Sequence, residues 1–214
     1  MGYGIYLFDF DYTLADATNG IVESANHALL KMGYPMPSRD EVRRTVGMSL
    51  GDSFTYLAKN DEPGLKTMYA RLFKEKADEV MTQNTQLYPD TIQVLNYLHS
   101  KGITTGIVTT KYRYRIAEIL QKNQISHLVD VIVGGDDVKN PKPDPEALIR
   151  AMELLNAAKE NVLYIGDSMI DAKTASSANV DFIAVTTGTT VKEDFLQFPH
   201  IAIINSLTSL ISMA

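Results

Sequence analysis

The 214-residue chain has no cysteine, which removes disulfide frameworks, thiolate metal sites and cysteine nucleophiles at once. Tryptophan is absent too. No apolar run approaches the roughly 18 residues of a membrane span, and no basic n-region precedes the first apolar segment, so neither a membrane protein nor a secretory leader is expected. Positive charge is in short supply: 20 Lys and Arg against 26 Asp and Glu leave a formal net charge of −6. Binding to a nucleic-acid backbone is therefore not expected as the main task, and the only dense basic pieces are Arg43-Arg44 and Lys111 to Arg115. The four histidines, His27, His99, His127 and His200, stand far apart in the chain without metal-ligand spacing. What remains is a globular composition, long enough for one domain or one domain with an insertion, and compatible with a reducing cytoplasm.

The chain opens on Ile5-Tyr6-Leu7-Phe8, an unbroken apolar run that fits a strand buried on both faces of a parallel sheet. It stops at Asp9-Phe10-Asp11-Tyr12-Thr13. From about 15 to 87 the pattern is helical: Ile21, Val22, Ala25, Leu29 and Leu30 recur at helical spacing, with Thr18 or Asn19 as N-caps. Ser38 and Glu41 form a capping-box pattern, and Leu50 to Ala58 and Leu65 to Val80 read as further helices. From Tyr88 onward strand and helix alternate, as in a doubly wound sheet. Apolar strands are predicted at Ile103 to Val108, Val129 to Val133, Val162 to Ile165, Phe182 to Val185 and Ile201 to Ile204. The expected fold is α/β, a doubly wound parallel-sheet Rossmann-like core of residues 1–14 and 88–214 with an all-helical domain, 15–87, inserted in the position of a lid.

Ligands in such sheets collect beyond the carboxyl ends of the strands, where this chain places polar residues. Asp9 and Asp11 are alone readable as an Asp-rich turn. Taken with Thr109, with Lys142-Pro143-Asp144-Pro145 and with Gly166-Asp167 followed by Asp171, they resemble the four motifs of the haloacid dehalogenase-like hydrolases. The resemblance spans nearly the whole chain and points to the branch with a helical cap after the first motif, which contains phosphoglycolate phosphatase-like enzymes. It implies a phosphohydrolase acting on a small phosphate monoester. Asp9 is then the nucleophile that forms an aspartyl-phosphate, and Asp11 the acid and base. Thr109, Thr110 and Lys142 bind the phosphoryl group. Mg²⁺ is held by the Asp9 carboxylate, the Asp11 carbonyl and Asp167, with Asp171 and Ser168 supporting from behind. Arg44 and Gly47, beside Arg43 and Thr45, are candidate substrate contacts from the cap.

The same site would serve a sugar phosphomutase of the β-phosphoglucomutase kind, or a pyrophosphatase or nucleotidase. The implied partner is a small phosphorylated metabolite, with no nucleic acid and no membrane, and the oligomeric state stays open. Within the family the dehalogenases lack the second aspartate, so Asp11 and Asp167 speak against that activity. Two departures stand out: Tyr12 replaces the usual Gly of the first motif and has no assigned role, and Asp90 replaces a Gly and is expected to cap the next helix.

Overall fold

In the computed structural model, which describes residues 2–213, the chain divides into two compact units, 1–16 with 87–214 and 17–86. Met1 and Ala214, the outermost residues of the expected core segments, lie outside the described residues. Among the described residues no helix is long and apolar enough to cross a membrane.

The first unit is an α/β sandwich around six parallel strands: β1 (Ile5–Phe8), β2 (Thr104–Val108), β3 (Val131–Val133), β4 (Val162–Gly166), β5 (Asp181–Val185) and β6 (Ala202–Ile204). Their order across the sheet is β3-β2-β1-β4-β5-β6, so β1 is central and pairs with β2 and β4. The alternation of side chains along β1 feeds both faces. Tyr6 and Phe8 join Leu95, Leu98, Ile116 and Ile119, while Ile5 and Leu7 join Leu148, Ala151, Ala172 and Ala175. Apolar packing on both faces is why β1 carries no polar residue until Asp9. In the register, Phe8 lies opposite Ile107 on one side and Ile165 on the other, which brings the three strand ends to one sheet edge.

Covering helices occupy Thr91–Ser100, Arg113–Lys122, Glu146–Leu154 and Met169–Ala178, with a short one at Lys192–Phe195. Asp90 stands at the N-cap position of the first of these but makes no capping bond; its carboxylate accepts from the Ser206 hydroxyl at 2.7 Å. The expected cap is thus a tie to the C-terminal segment. His99 and His127, far apart in sequence, meet edge to face with ring centroids 6.5 Å apart on the exposed surface.

The second unit holds four helices, Thr18–Lys31, Arg39–Arg43, Leu50–Ala58 and Pro63–Val80. They enclose Ala25, Leu29, Val42, Phe54, Tyr69 and Phe73, and Phe54 packs against both Tyr34 and Tyr69. Ser38 and Glu41 complete the expected capping box. Thr18 and Asn19 do not cap: both lie inside the helix, and Ala17 occupies the N-cap without a side-chain bond. The last helix starts earlier than its apolar pattern suggests, because Pro63 suits the first turn and both Glu62 carboxylate oxygens accept from the amides of Gly64 and Leu65.

Candidate active site

Four segments of the first unit meet at the carboxyl edge of the sheet. The Asp9 amide donates to Ile165 O at 2.8 Å and the Thr109 amide to Val133 O at 3.0 Å, so both residues continue their strands' pairing one step further. Lys142, from the loop after β3, reaches into this edge. Its ammonium donates to Asp9 Oδ1 at 2.7 Å, Asp171 Oδ1 at 2.6 Å, the Tyr164 hydroxyl at 3.0 Å and Val108 O at 3.3 Å. All of these side chains are buried.

Asp171 is saturated. Beyond Lys142, its Oδ1 accepts from Tyr164 at 2.9 Å, and its Oδ2 accepts from the Ser168 amide at 3.1 Å and hydroxyl at 2.5 Å. Ser168 and Asp171 form the capping box of helix Met169–Ala178, so one local helix start also orients the lysine's partner. Asp167 Oδ1 accepts from the Thr13 hydroxyl at 3.2 Å. On the Asp9 side of the site, Asp11 Oδ2 pairs with Lys111 Nζ at 3.1 Å, while Asp11 Oδ1 is buried without a hydrogen-bond partner.

Burial governs the electrostatics here. It pushes the Asp9 carboxyl up to about 7, against the lowering pull of Lys142, with Asp171 and Asp11 adding to the rise. Asp167 is likewise pushed well above the ordinary carboxylate value by burial and by Asp171 and Asp9. Burial opposes the charge on Lys142, but Asp171 and Asp9 outweigh it and hold the lysine well above its usual value.

The donor set fits a hard divalent cation. Carboxylate oxygens of Asp9, Asp167 and Asp171 lie within 4.8 Å of one another. When Asp9, Asp11, Asp167 and Asp171 are all ionised, Lys142 and Lys111 leave two negative charges uncompensated, and oxygen ligands suit Mg²⁺-like ions. Because Asp171 is already saturated, Asp9 and Asp167 are the members of this cluster of three with capacity to spare.

Of the residues named from the sequence, the fold brings Asp9, Asp11, Thr109, Lys142, Asp167, Ser168 and Asp171 to this edge, with Thr110 half-buried beside Thr109. Arg44 and Gly47 belong to the helical unit: Arg44 is exposed at the end of helix Arg39–Arg43, and Gly47 takes a φ of +89°. Thr45 is used internally, donating to Val42 O at 2.8 Å and accepting from Ser53 at 3.1 Å. In the loop before Lys142, Asp136 accepts from the Arg113 amide and Asp137 from the Gly134 amide, both structural bonds.

Four residues of this site are not evident from the linear sequence. Tyr164 looked like one more apolar strand position, yet its hydroxyl sits among Lys142, Asp171 and Val108 O. Lys111 reads in the sequence as part of a basic stretch, although its place two residues beyond a strand-end Thr is a usable signal, and in the fold it pairs with Asp11. Thr13 was only a motif letter. Gly188 carried no signal at all, and a Cβ there would overlap Asp167 Oδ2. Gly188→Ala is therefore expected to displace the Asp167 carboxylate and to destabilise the fold by about 1–3 kcal/mol, as overpacking does, read as a lowered melting temperature. Tyr12 also gains an account: its φ is +62°, in the left-handed region where glycine is at no disadvantage. The Thr187 hydroxyl donates to the Tyr12 carbonyl and helps hold that turn.

The family model for haloacid dehalogenase-like hydrolases matches residues 6–185. A pyrophosphatase, PpaX, of Bacillus cereus is 33% identical over 84% of this chain and 82% of its own length. A phosphoglycolate phosphatase of Salmonella typhi is 28% identical over 85% of this chain and 80% of its own. Among solved structures, a haloacid dehalogenase-like hydrolase from Bacteroides fragilis superposes with a TM-score of 0.95 at 42% identity, covering 97% of this chain and 99% of that one. A match over most of the chain, together with the strand-end carboxylates and the buried lysine, places this protein in the haloacid dehalogenase-like hydrolase family.

Proposed function

We propose that this chain is a cytoplasmic Mg²⁺-dependent phosphatase that cleaves a small phosphate monoester of the phosphoglycolate kind, with the helical unit as its cap. The observation that carries the reading is the buried pair of carboxylates at the end of β1. Asp9 is bound to Lys142, and Asp11, two residues on, keeps one oxygen without a partner.

Uncatalysed phosphate-ester hydrolysis is so slow that about 20 kcal/mol or more must be supplied. A covalent intermediate divides that barrier. Asp9 attacks phosphorus, forming an acyl phosphate, while Asp11 gives its proton to the departing oxygen. Asp11, now ionised, takes a proton from the water that cleaves the acyl phosphate. Lys142 and Thr109 bind the phosphoryl oxygens, and Asp171 with Tyr164 holds the lysine in place. Mg²⁺ bound by Asp9, Asp167 and the Asp11 carbonyl would neutralise phosphoryl charge. Thr13 and Gly188 keep Asp167 oriented for that task.

Pyrophosphate is the second reading, favoured by the Bacillus cereus relative named a pyrophosphatase. It needs no change in these roles, since only the leaving group differs. The test is release of inorganic phosphate from p-nitrophenyl phosphate, phosphoglycolate and pyrophosphate, with Mg²⁺ or with EDTA. Release is expected with Mg²⁺ and should fall by roughly 100-fold or more on chelation, the scale of losing a principal charge-stabilising group. No release from any of the three overturns the reading, and a sugar phosphate returned as its isomer without free phosphate would indicate a phosphomutase.

A further inference from the structure

We propose that Lys111 is a positioning residue for Asp11: its ammonium fixes one oxygen of that carboxylate so that the other, Oδ1, is presented to the departing oxygen of the substrate. The inference deepens the proposed phosphatase reading and rests on Asp11 being its acid and base.

The two leading carboxylates are served by different lysines. Lys142 contacts Asp9, Asp171, Tyr164 and Val108 O, whereas Lys111 Nζ lies 3.1 Å from Asp11 Oδ2. The side chains of Lys111 and Asp11 are only 6% and 9% exposed, so this is a desolvated pair and not a surface contact. Asp11 Oδ1 is left as a buried polar atom without a partner, a state that proteins seldom leave without a use.

The backbone that carries Lys111 is itself fixed. Its amide donates to Thr109 Oγ1 at 3.2 Å, and its carbonyl accepts from the Gly135 amide at 3.0 Å. Gly135 lies so close to Thr110 O that a Cβ would overlap it, so the turn from Thr109 to Lys111 is pressed against the end of β3. A lysine rooted in so constrained a turn can hold a carboxylate at one orientation, and orientation is a large part of the rate that a positioned group supplies. In the reaction, the proton on Asp11 Oδ1 passes to the bridging oxygen. The P–O bond breaks with its electron pair staying on that oxygen, the Asp9–P bond forms, and Lys111 keeps all three of its protons.

The experiment compares leaving groups. p-Nitrophenolate departs as a stable anion and needs little help from an acid, whereas an alkoxide must be protonated. Kinetics of the unmodified chain, Lys111→Met, Lys111→Arg, Asp11→Asn and the Lys111→Met/Asp11→Asn double variant are measured on p-nitrophenyl phosphate and on the alkyl phosphate turned over fastest. For Lys111→Met, kcat on the alkyl phosphate is expected to fall about 100-fold, and at least tenfold less on p-nitrophenyl phosphate, with KM within about threefold. Lys111→Arg should recover most of the loss, and the double variant should be no slower than Asp11→Asn.

Equal kcat losses on both substrates, multiplying losses in the double variant, or an effect confined to KM each overturn the proposal; the last would make Lys111 a substrate ligand. Asp11→Asn without leaving-group selectivity would remove the acid role and this inference with it. If Asp11→Asn is selective and Lys111→Met is not, the inference alone fails. Should Lys111→Met not fold, Lys111→Gln keeps a donor without the charge and is judged by the same ratio.

Discussion

Asp9→Asn is expected to lower phosphate release by about 10⁴-fold or more while leaving the fold intact, because a carboxamide cannot form the acyl phosphate. Asparagine keeps the size of the side chain and an oxygen for Lys142, which also retains Asp171 at 2.6 Å. The effect on stability has the opposite sign. Burial raises the Asp9 carboxyl from its ordinary value to about 7 in the fold, so the folded state binds that proton more tightly than the unfolded state. The contribution of Asp9 to stability is therefore greatest below its unfolded value and declines as pH rises toward about 7. Above that pH the aspartate is a buried charge that the asparagine lacks. Without added metal, Asp9→Asn should melt at or above the unmodified chain at pH 8, with the difference shrinking toward pH 5. Wild-type turnover by the variant would refute the nucleophile, and a collapsed melting temperature would mean that the carboxylate is structural. Turnover with Mg²⁺ and melting by circular dichroism decide both points.

Lys142→Met is expected to damage activity and stability together. Methionine nearly matches lysine in length and can fill the same channel, so lost charge dominates over lost volume. The ammonium touches Asp9, Asp171, the Tyr164 hydroxyl and Val108 O in a buried cluster. Removing one partner of a buried ion pair leaves the other uncompensated and costs about 3–5 kcal/mol. Turnover should fall by roughly 10²–10³-fold from loss of phosphoryl charge stabilisation alone. Lys142→Met combined with Asp171→Asn should recover part of the stability, because the second change removes the orphaned carboxylate, but none of the activity. Strict additivity in that double-mutant cycle would show that the pair is not coupled as its 2.6 Å contact implies. Chemical denaturation of the four proteins measures the coupling.

Much of this was legible in the linear chain. Buried parallel strands must be apolar on both faces, so Ile5 to Phe8 and Val162 to Ile165 announce themselves as unbroken apolar runs, and the first charged residue after each marks the sheet edge. Asp9 and Asp167 follow directly from that rule, Thr109 from its place as the first polar residue beyond the strand ending at Val108, and Lys142 from its Lys-Pro-x-Pro setting. The α/β class, the six strands and the Ser38–Glu41 capping box come from local periodicity and local hydrogen bonding, which involve only near neighbours in sequence.

What the chain could not disclose by itself depends on contacts between distant residues. Asp11 and Lys111 are a hundred positions apart and meet only because β1 and β2 lie side by side. Tyr164 looks apolar until Lys142 and Asp171 are folded around its hydroxyl. Gly188 is meaningful only for the space that Asp167 takes from it, and Asp90, expected as a cap, is captured instead by Ser206. Sequence alone therefore determined the sheet, its chemical edge and the family. Tertiary structure decided which oxygen of each carboxylate is held and which is left over, because that choice is made by side chains converging from separate strands.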